Sequence, residues 1–151
     1  MLKLEPLLRF SNGVIIHSIG KTPFGDRTTY VIGEGRFEGP RLKGRILPGG
    51  GDWLLRGTGG LSKLDVRKTF ETDDGAMIDV RYVGLYRFSD EVTTKLSGGG
   101  ASEFGDTLFQ VQAQFETGDQ RYAWLNEVLA IGEGRETQSG VDYQLYSIVR
   151  G

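Results

Sequence analysis

Cysteine is absent from the 151 residues, and histidine occurs once, at His17. The first absence excludes disulfides, thiol nucleophiles and zinc–thiolate sites. The second excludes a histidine-based triad or a multi-histidine metal centre within one chain. An excess of basic charge is also missing. Lys and Arg number 18 against 20 Asp and Glu, a net charge of -2, whereas proteins with a general affinity for nucleic-acid phosphates carry a basic surplus. No apolar run approaches the roughly 20 residues a membrane-spanning helix needs. The start, Met1-Leu-Lys-Leu-Glu-Pro6, lacks the apolar core of a secretory signal. A cytoplasmic protein with no nucleic-acid or membrane partner is expected, and the reading allows a homo-oligomer of the chain.

What is abundant is glycine, at 24 of the 151 positions, roughly twice its usual ~7% share. The glycines interrupt short apolar runs without a fixed period, the mark of many tight turns. At this length one domain is expected, able to bury about 68–70% of its unfolded surface.

The segments between the turns read as strands. Leu2 to Phe10 and Val14 to Ile19 flank Ser11-Asn12-Gly13, whose polar-Gly chemistry predicts a hairpin turn. His17, among β-branched neighbours, reads as a packed or hydrogen-bonded structural histidine. Arg27 to Glu34 is β-prone through Thr28-Thr-Tyr-Val-Ile32. The glycines from Gly33 to Gly39 match neither dinucleotide nor Walker spacing and precede no helix, so a bulged strand or kinked corner is expected there.

Gly39 to Trp53 predicts a strand stopped by Pro48, which has no N–H to give a ladder. A triple-glycine turn should then release Asp52 and Trp53. Lys63 to Thr72 alternates Leu64, Val66 and Phe70 with Asp65, Arg67, Thr69 and Glu71, and Lys68 breaks the apolar row. Asp73-Asp74-Gly75 is a hairpin signal, and without further oxygen ligands at calcium-loop spacing it is not a cation site. The strand from Ala76 to Arg87 follows, with Ile78, Val80, Tyr82 and Tyr86 on one face.

Ser89 should cap a short helix through Leu96, followed by a flexible glycine loop, Ser97 to Ala101, that reads as a mobile lid. Thr107 to Thr117, Asn126 to Gly134 and Val141 to Arg150 complete the strands, with a short turn or helix from Gly118. About eight to ten strands without a crossover helix predict an all-β, antiparallel, calycin- or lipocalin-like barrel with short helical turns. Such a barrel is just wide enough to hold one small ligand.

Four motifs carry a family likeness. Gly39-Pro-Arg-Leu-Lys-Gly-Arg-Ile-Leu-Pro-Gly-Gly-Gly-Asp-Trp53, Leu64-Asp-Val-Arg67, Thr72-Asp-Asp-Gly-Ala76 and Phe115-Glu-Thr-Gly118 with Arg121-Tyr-Ala-Trp-Leu-Asn126 make the chain, from Leu4 to its end, similar to one group. It resembles a widespread bacterial and fungal family of small proteins catalogued as a domain of unknown function, with a calycin-like β-barrel. The departures are Gly33-Glu-Gly-Arg36, where the family has paired glycines, and the glycine-rich Ser97–Ala101 loop. The resemblance implies a barrel with an interior cavity and brings no settled reaction.

The chemistry is therefore read from residues. Asp52, an acid beside an indole in a sheltered cavity, is the candidate for proton transfer; its bland alternative is a cap on the glycine turn. Tyr82 is the candidate donor to a developing oxyanion. Arg67 and Arg41 are candidates for holding a carboxylate or enolate, with Asp65 or Glu116 as the anionic partner an interior arginine needs. Trp53, Tyr122 and Trp124 would pack the ligand, and Asn126 would offer a donor and an acceptor at the opposite rim. The leading expectation is an isomerase, cyclase or lyase acting on a small carbonyl, aromatic or carboxylate compound without metal or cofactor. The competing expectation is a non-catalytic carrier or sensor of a small hydrophobic ligand.

Overall fold

Eight strands, joined in sequence order, close on themselves. The computed structural model describes residues Met1–Gly151. Its strands are β1 (Leu2–Thr22), β2 (Gly25–Glu38), β3 (Lys43–Arg56), β4 (Leu61–Thr72), β5 (Met77–Arg87), β6 (Phe109–Glu116), β7 (Leu129–Thr137) and β8 (Gly140–Arg150). Every neighbour pair is antiparallel, and β8 pairs back onto β1 to close the barrel. Closure leaves no free sheet edge. The helix α1 (Asp90–Ser97) follows β5, and the Ser89 hydroxyl caps it by accepting from the Val92 N–H at 3.3 Å. No helix is long and apolar enough to cross a membrane.

Two expected breaks are continuous strands. The Ser11-Asn12-Gly13 hairpin does not form, because both halves of β1 ladder to the same partner, β2. The register merely skips between Asn12 and Val14. The Asn12 side chain turns inward and is buried, its Nδ2 donating to the Gly13 carbonyl at 2.8 Å. Pro48 likewise does not end its strand. The β3–β4 register jumps from Leu47 to Gly51, so Pro48 lies in a bulge where no ladder N–H is required. The bulge expected near Gly33 is present as a skip between Val31 and Gly35 on the facing strand.

Gly50 explains the β3 bulge. Its φ is +72°, and a Cβ there would lie 2.3 Å from the Arg67 carbonyl oxygen. Both the left-handed backbone and the close approach demand glycine. Gly50→Ala is expected to destabilise the fold by about 2–4 kcal/mol, read as a lowered urea midpoint.

Alternation places Leu64, Val66, Lys68 and Phe70 of β4 inside, with Ile78, Val80, Tyr82 and Tyr86 of β5 facing them. The core is thickest at one end. There Phe37 stacks on Phe70 at 4.6 Å between ring centroids, and the fully buried Leu125 plugs the barrel from the 3-10 turn Gln120–Glu127. That end is solid. The other end is hollow.

Candidate functional site

The hollow end holds a cavity of about 370 Å³. Its walls are mainly apolar, including Ile32, Leu54, Leu64 and Phe109, and its mouth lies at the β7–β8 turn beside Val14 and Ile16 of β1. Into it point Asp52, Lys68, Tyr30, Tyr82, Tyr143 and, nearer the mouth, Glu136.

Register explains part of this grouping. Tyr30 pairs with Asp52, Asp52 with Val66, and Val66 with Tyr82, so three polar side chains stand in one inward row across β2 to β5. Asp52 and Tyr82 are two strands apart in that row, a backbone separation of roughly 10 Å. The buried Val66 side chain stands between them in the row, and all three polar groups line the same cavity.

Asp52 is buried, and its Oδ1 accepts one hydrogen bond, from the Asp65 N–H at 3.2 Å. Burial raises its pKa to about 6, against the lowering effects of that N–H and of Lys68. Tyr82 is held above the usual phenol range, first by burial and then by the neighbouring Tyr143 phenol. Their rings meet edge to face with centroids 5.1 Å apart. Tyr143 is also raised, chiefly by burial. Both phenols therefore stay protonated at neutral pH as donors.

Lys68 lies on the cavity floor with a side chain that is almost wholly buried. Its Nζ donates to Asn12 Oδ1 at 2.5 Å and sits 4.6, 5.1 and 5.0 Å from the centroids of Phe10, Tyr82 and Tyr143. It makes no ion pair. Burial holds its amine well below the ordinary lysine range, and the charge of Asp52 only partly opposes this. At the mouth the Tyr86 hydroxyl donates to Glu136 Oε1, and burial raises the Glu136 carboxyl.

The segment expected to be a lid is tied down at the mouth. Gln138 Nε2 donates to the carbonyls of Leu96 and Gly100, at 2.9 and 2.5 Å, and the Glu136 N–H donates to Ser102 Oγ at 2.8 Å.

Of the residues singled out in the sequence, Asp52 and Tyr82 face the cavity and the other seven do not. Arg67 is exposed on the outer face of β4 beside Asp65, because the inward positions of that strand are its neighbours Val66 and Lys68. Trp53 points out for the same reason, successive side chains on a strand taking opposite faces; it is 40% exposed. Glu116 is exposed at the end of β6.

Arg41, Tyr122, Trp124 and Asn126 all belong to the solid end. The Arg41 guanidinium stacks 3.6 Å from the Trp124 ring centroid, and the Tyr122 hydroxyl donates to the Asp74 carboxylate at 2.9 Å. Asn126 brackets Thr117, accepting from its N–H at 2.8 Å and donating to its carbonyl at 3.0 Å. These contacts fasten the plug. His17 is exposed and not packed. Arg67→Ala is accordingly expected to leave ligand binding in the cavity within about twofold and stability within ~0.5 kcal/mol, measured by calorimetric titration and urea unfolding.

Lys68, Tyr143, Tyr30 and Glu136 join the site without having been singled out from the sequence. For Lys68 a signal existed, since it interrupts an inward apolar row.

The sequence profile of a family described as "Protein of unknown function (DUF3237)" matches residues 2–148, in line with the motif resemblance. A UPF0311 protein of Rhodopseudomonas palustris is 29% identical over 134 residues, covering 89% of this chain and 88% of that protein. The crystal structure of a β-barrel-like protein from Acinetobacter baumannii is 34% identical and superposes with a TM-score of 0.83, covering 99% of this chain and 97% of that one. The fold is shared with a protein from Penicillium herquei described as an enzyme, at 19% identity and a TM-score of 0.76, covering 98% of this chain and 95% of that one.

Proposed function

This chain belongs to the DUF3237 family of proteins of unknown function, and for it we propose acid–base catalysis on a small organic molecule held inside the barrel. Asp52 moves the proton and Tyr82, with Tyr143 beside it, donates to the oxygen on which negative charge develops. The observation that carries this reading is a cavity-facing carboxyl whose pKa is about 6, standing in one row with a phenol that stays protonated. A base is most effective when its pKa lies close to the working pH. At pH 7 a group titrating near 6 is about nine-tenths ionised, so Asp52 serves first as the base. It returns the proton as an acid at a second atom of the substrate.

Isomerisation, cyclisation, dehydration and a retro-aldol-type lyase step all need this equipment: one base that becomes an acid, and one oxyanion donor. The apolar walls would exclude water, which strengthens every polar contact made inside. A protein of the same fold is described as an enzyme, which supports a catalytic use of such a barrel. The mostly apolar lining also suits a carrier of a hydrophobic ligand, and that reading needs no proton-moving group.

The test is mass spectrometry of a metabolite extract incubated with catalytic amounts of the protein. Catalysis predicts that one compound disappears and another appears with the wild type and not with Asp52→Asn. Stoichiometric retention of one unchanged compound by both proteins would instead make this a carrier.

A further inference from the structure

Lys68 has no role in the proton transfer just described, yet it is the residue least expected on a barrel floor. A buried lysine normally meets a carboxylate, because a charged amine without one is strongly disfavoured in an apolar interior. Here the hydrogen-bond partner is a neutral amide oxygen, Asn12 Oδ1 at 2.5 Å, and three aromatic rings surround the rest of the amine. The amide is itself fixed, its Nδ2 donating to the Gly13 carbonyl at the β1 bulge. The cavity therefore contains a positioned primary amine, a carboxyl on the adjacent strand, and phenols whose rings flank that amine.

We infer that Lys68 is a covalent nucleophile that forms an imine with the carbonyl carbon of an aldehyde or ketone substrate. This rests on the acid–base reading of the same cavity and narrows its substrate class to carbonyl compounds, with aromatic or conjugated ones suited to the walls. The Nζ lone pair forms the C–N bond while the carbonyl π pair moves to oxygen, which takes a proton from the Tyr82 phenol or the protonated form of Asp52. The amine proton released on addition returns to the donor. A second proton delivered to the carbinolamine hydroxyl lets it leave as water, and the nitrogen lone pair closes the C=N bond as a protonated iminium. The iminium then withdraws electrons from the adjacent carbon, so that a C–H bond there breaks to Asp52, or a C–C bond breaks in a lyase step. Hydrolysis by one water reverses the sequence and restores the amine.

A lysine desolvated in an apolar pocket is the form of this side chain that attacks carbonyls, since burial disfavours the charged amine and so favours the form that carries a lone pair. The exposed lysines lack that environment.

The experiment uses 2-naphthaldehyde as the carbonyl probe with sodium cyanoborohydride at pH 7, which transfers hydride to the iminium carbon and fixes the adduct as a secondary amine. Intact-mass and peptide analysis are expected to find one adduct per chain, at Lys68. It should form at least about tenfold faster than labelling of Lys3, Lys21, Lys43, Lys63 or Lys95, and Lys68→Met should abolish it. If that variant does not fold, the wild-type peptide map alone decides. Label spread over the exposed lysines and the N-terminal amine, with Lys68 unmodified, overturns the inference. That result would leave acid–base catalysis intact if Asp52-dependent turnover is still seen in the extract assay. An adduct at Lys68 in a protein that turns nothing over would support the covalent site and remove the catalytic reading instead.

Discussion

Replacing Asp52 by asparagine is expected to lower turnover by about 10²–10⁴-fold, the range associated with a positioned proton-transfer group. The amide keeps the shape of the carboxyl and an oxygen able to accept the Asp65 N–H, now at 3.2 Å from Oδ1. The barrel should therefore survive. Indeed the variant should gain stability at alkaline pH. Asp52 has a folded-state pKa of about 6, above its ordinary 3.8, so the native state holds this proton more tightly than the unfolded chain does. The wild type thus loses stability as pH rises between about 4 and 6. Above that window the loss is on the order of 2–3 kcal/mol, because each tenfold difference in proton affinity between the two states is worth ~1.4 kcal/mol. Urea unfolding at pH 8 should show Asp52→Asn more stable than the wild type by about that amount, and the gap should shrink toward zero near pH 4. A variant less stable at pH 8 and equally active would make Asp52 a cap of the glycine bulge. In the wild type, kcat/KM should rise about tenfold per pH unit below 6 and level off above it, if ionised Asp52 is the base.

Tyr82→Phe is expected to reduce kcat by about 10²-fold with a much smaller change in KM, as for loss of a donor that acts mainly in the transition state. The ring would remain in its place, 6.0 Å from Phe10 and 5.1 Å from Tyr143 between centroids, so packing is retained. Circular dichroism and the urea midpoint should stay near wild type. A change confined to KM would assign the phenol to substrate binding alone. Tyr143 sits next to it, so the double variant with Tyr143→Phe should lose less than the product of the two single effects, the sign that the phenols act as a unit.

The barrel was legible because its signals are local. Polar–apolar alternation in Lys63–Thr72 and Ala76–Arg87 and the Asp73-Asp74-Gly75 turn are properties of adjacent residues. They reappear as β4, β5 and their hairpin. Less of the cavity's lining was legible. Asp52 and Tyr82 follow from residue type and alternation, but alternation also forbids Asp52 and Trp53 from pointing the same way, so the expected acid–indole pair in one cavity does not exist. The same rule separates Arg67 from Lys68. The interior basic residue is not the expected arginine but its neighbour, already visible as the break in an apolar row.

Tyr143 and Glu136 were out of reach for a different reason. Their place opposite Asp52 depends on β8 closing onto β1 and on the register of β7 with β8, which are non-local pairings. The extra hairpin expected at Asn12-Gly13 failed similarly. A glycine after asparagine permits a turn or a bulge equally, and only the common partner β2 decides between them.

Whether the barrel holds a carboxyl tuned for proton transfer is tested most directly by an NMR pH titration. It follows the Asp52 side-chain carbonyl carbon in protein labelled with ¹³C-aspartate, assigned through Asp52→Asn. An inflection near pH 6 is the predicted result, since burial dominates the Asp52 environment. Titration near 4, in the range of a solvated aspartate, would contradict it and leave the cavity to a carrier.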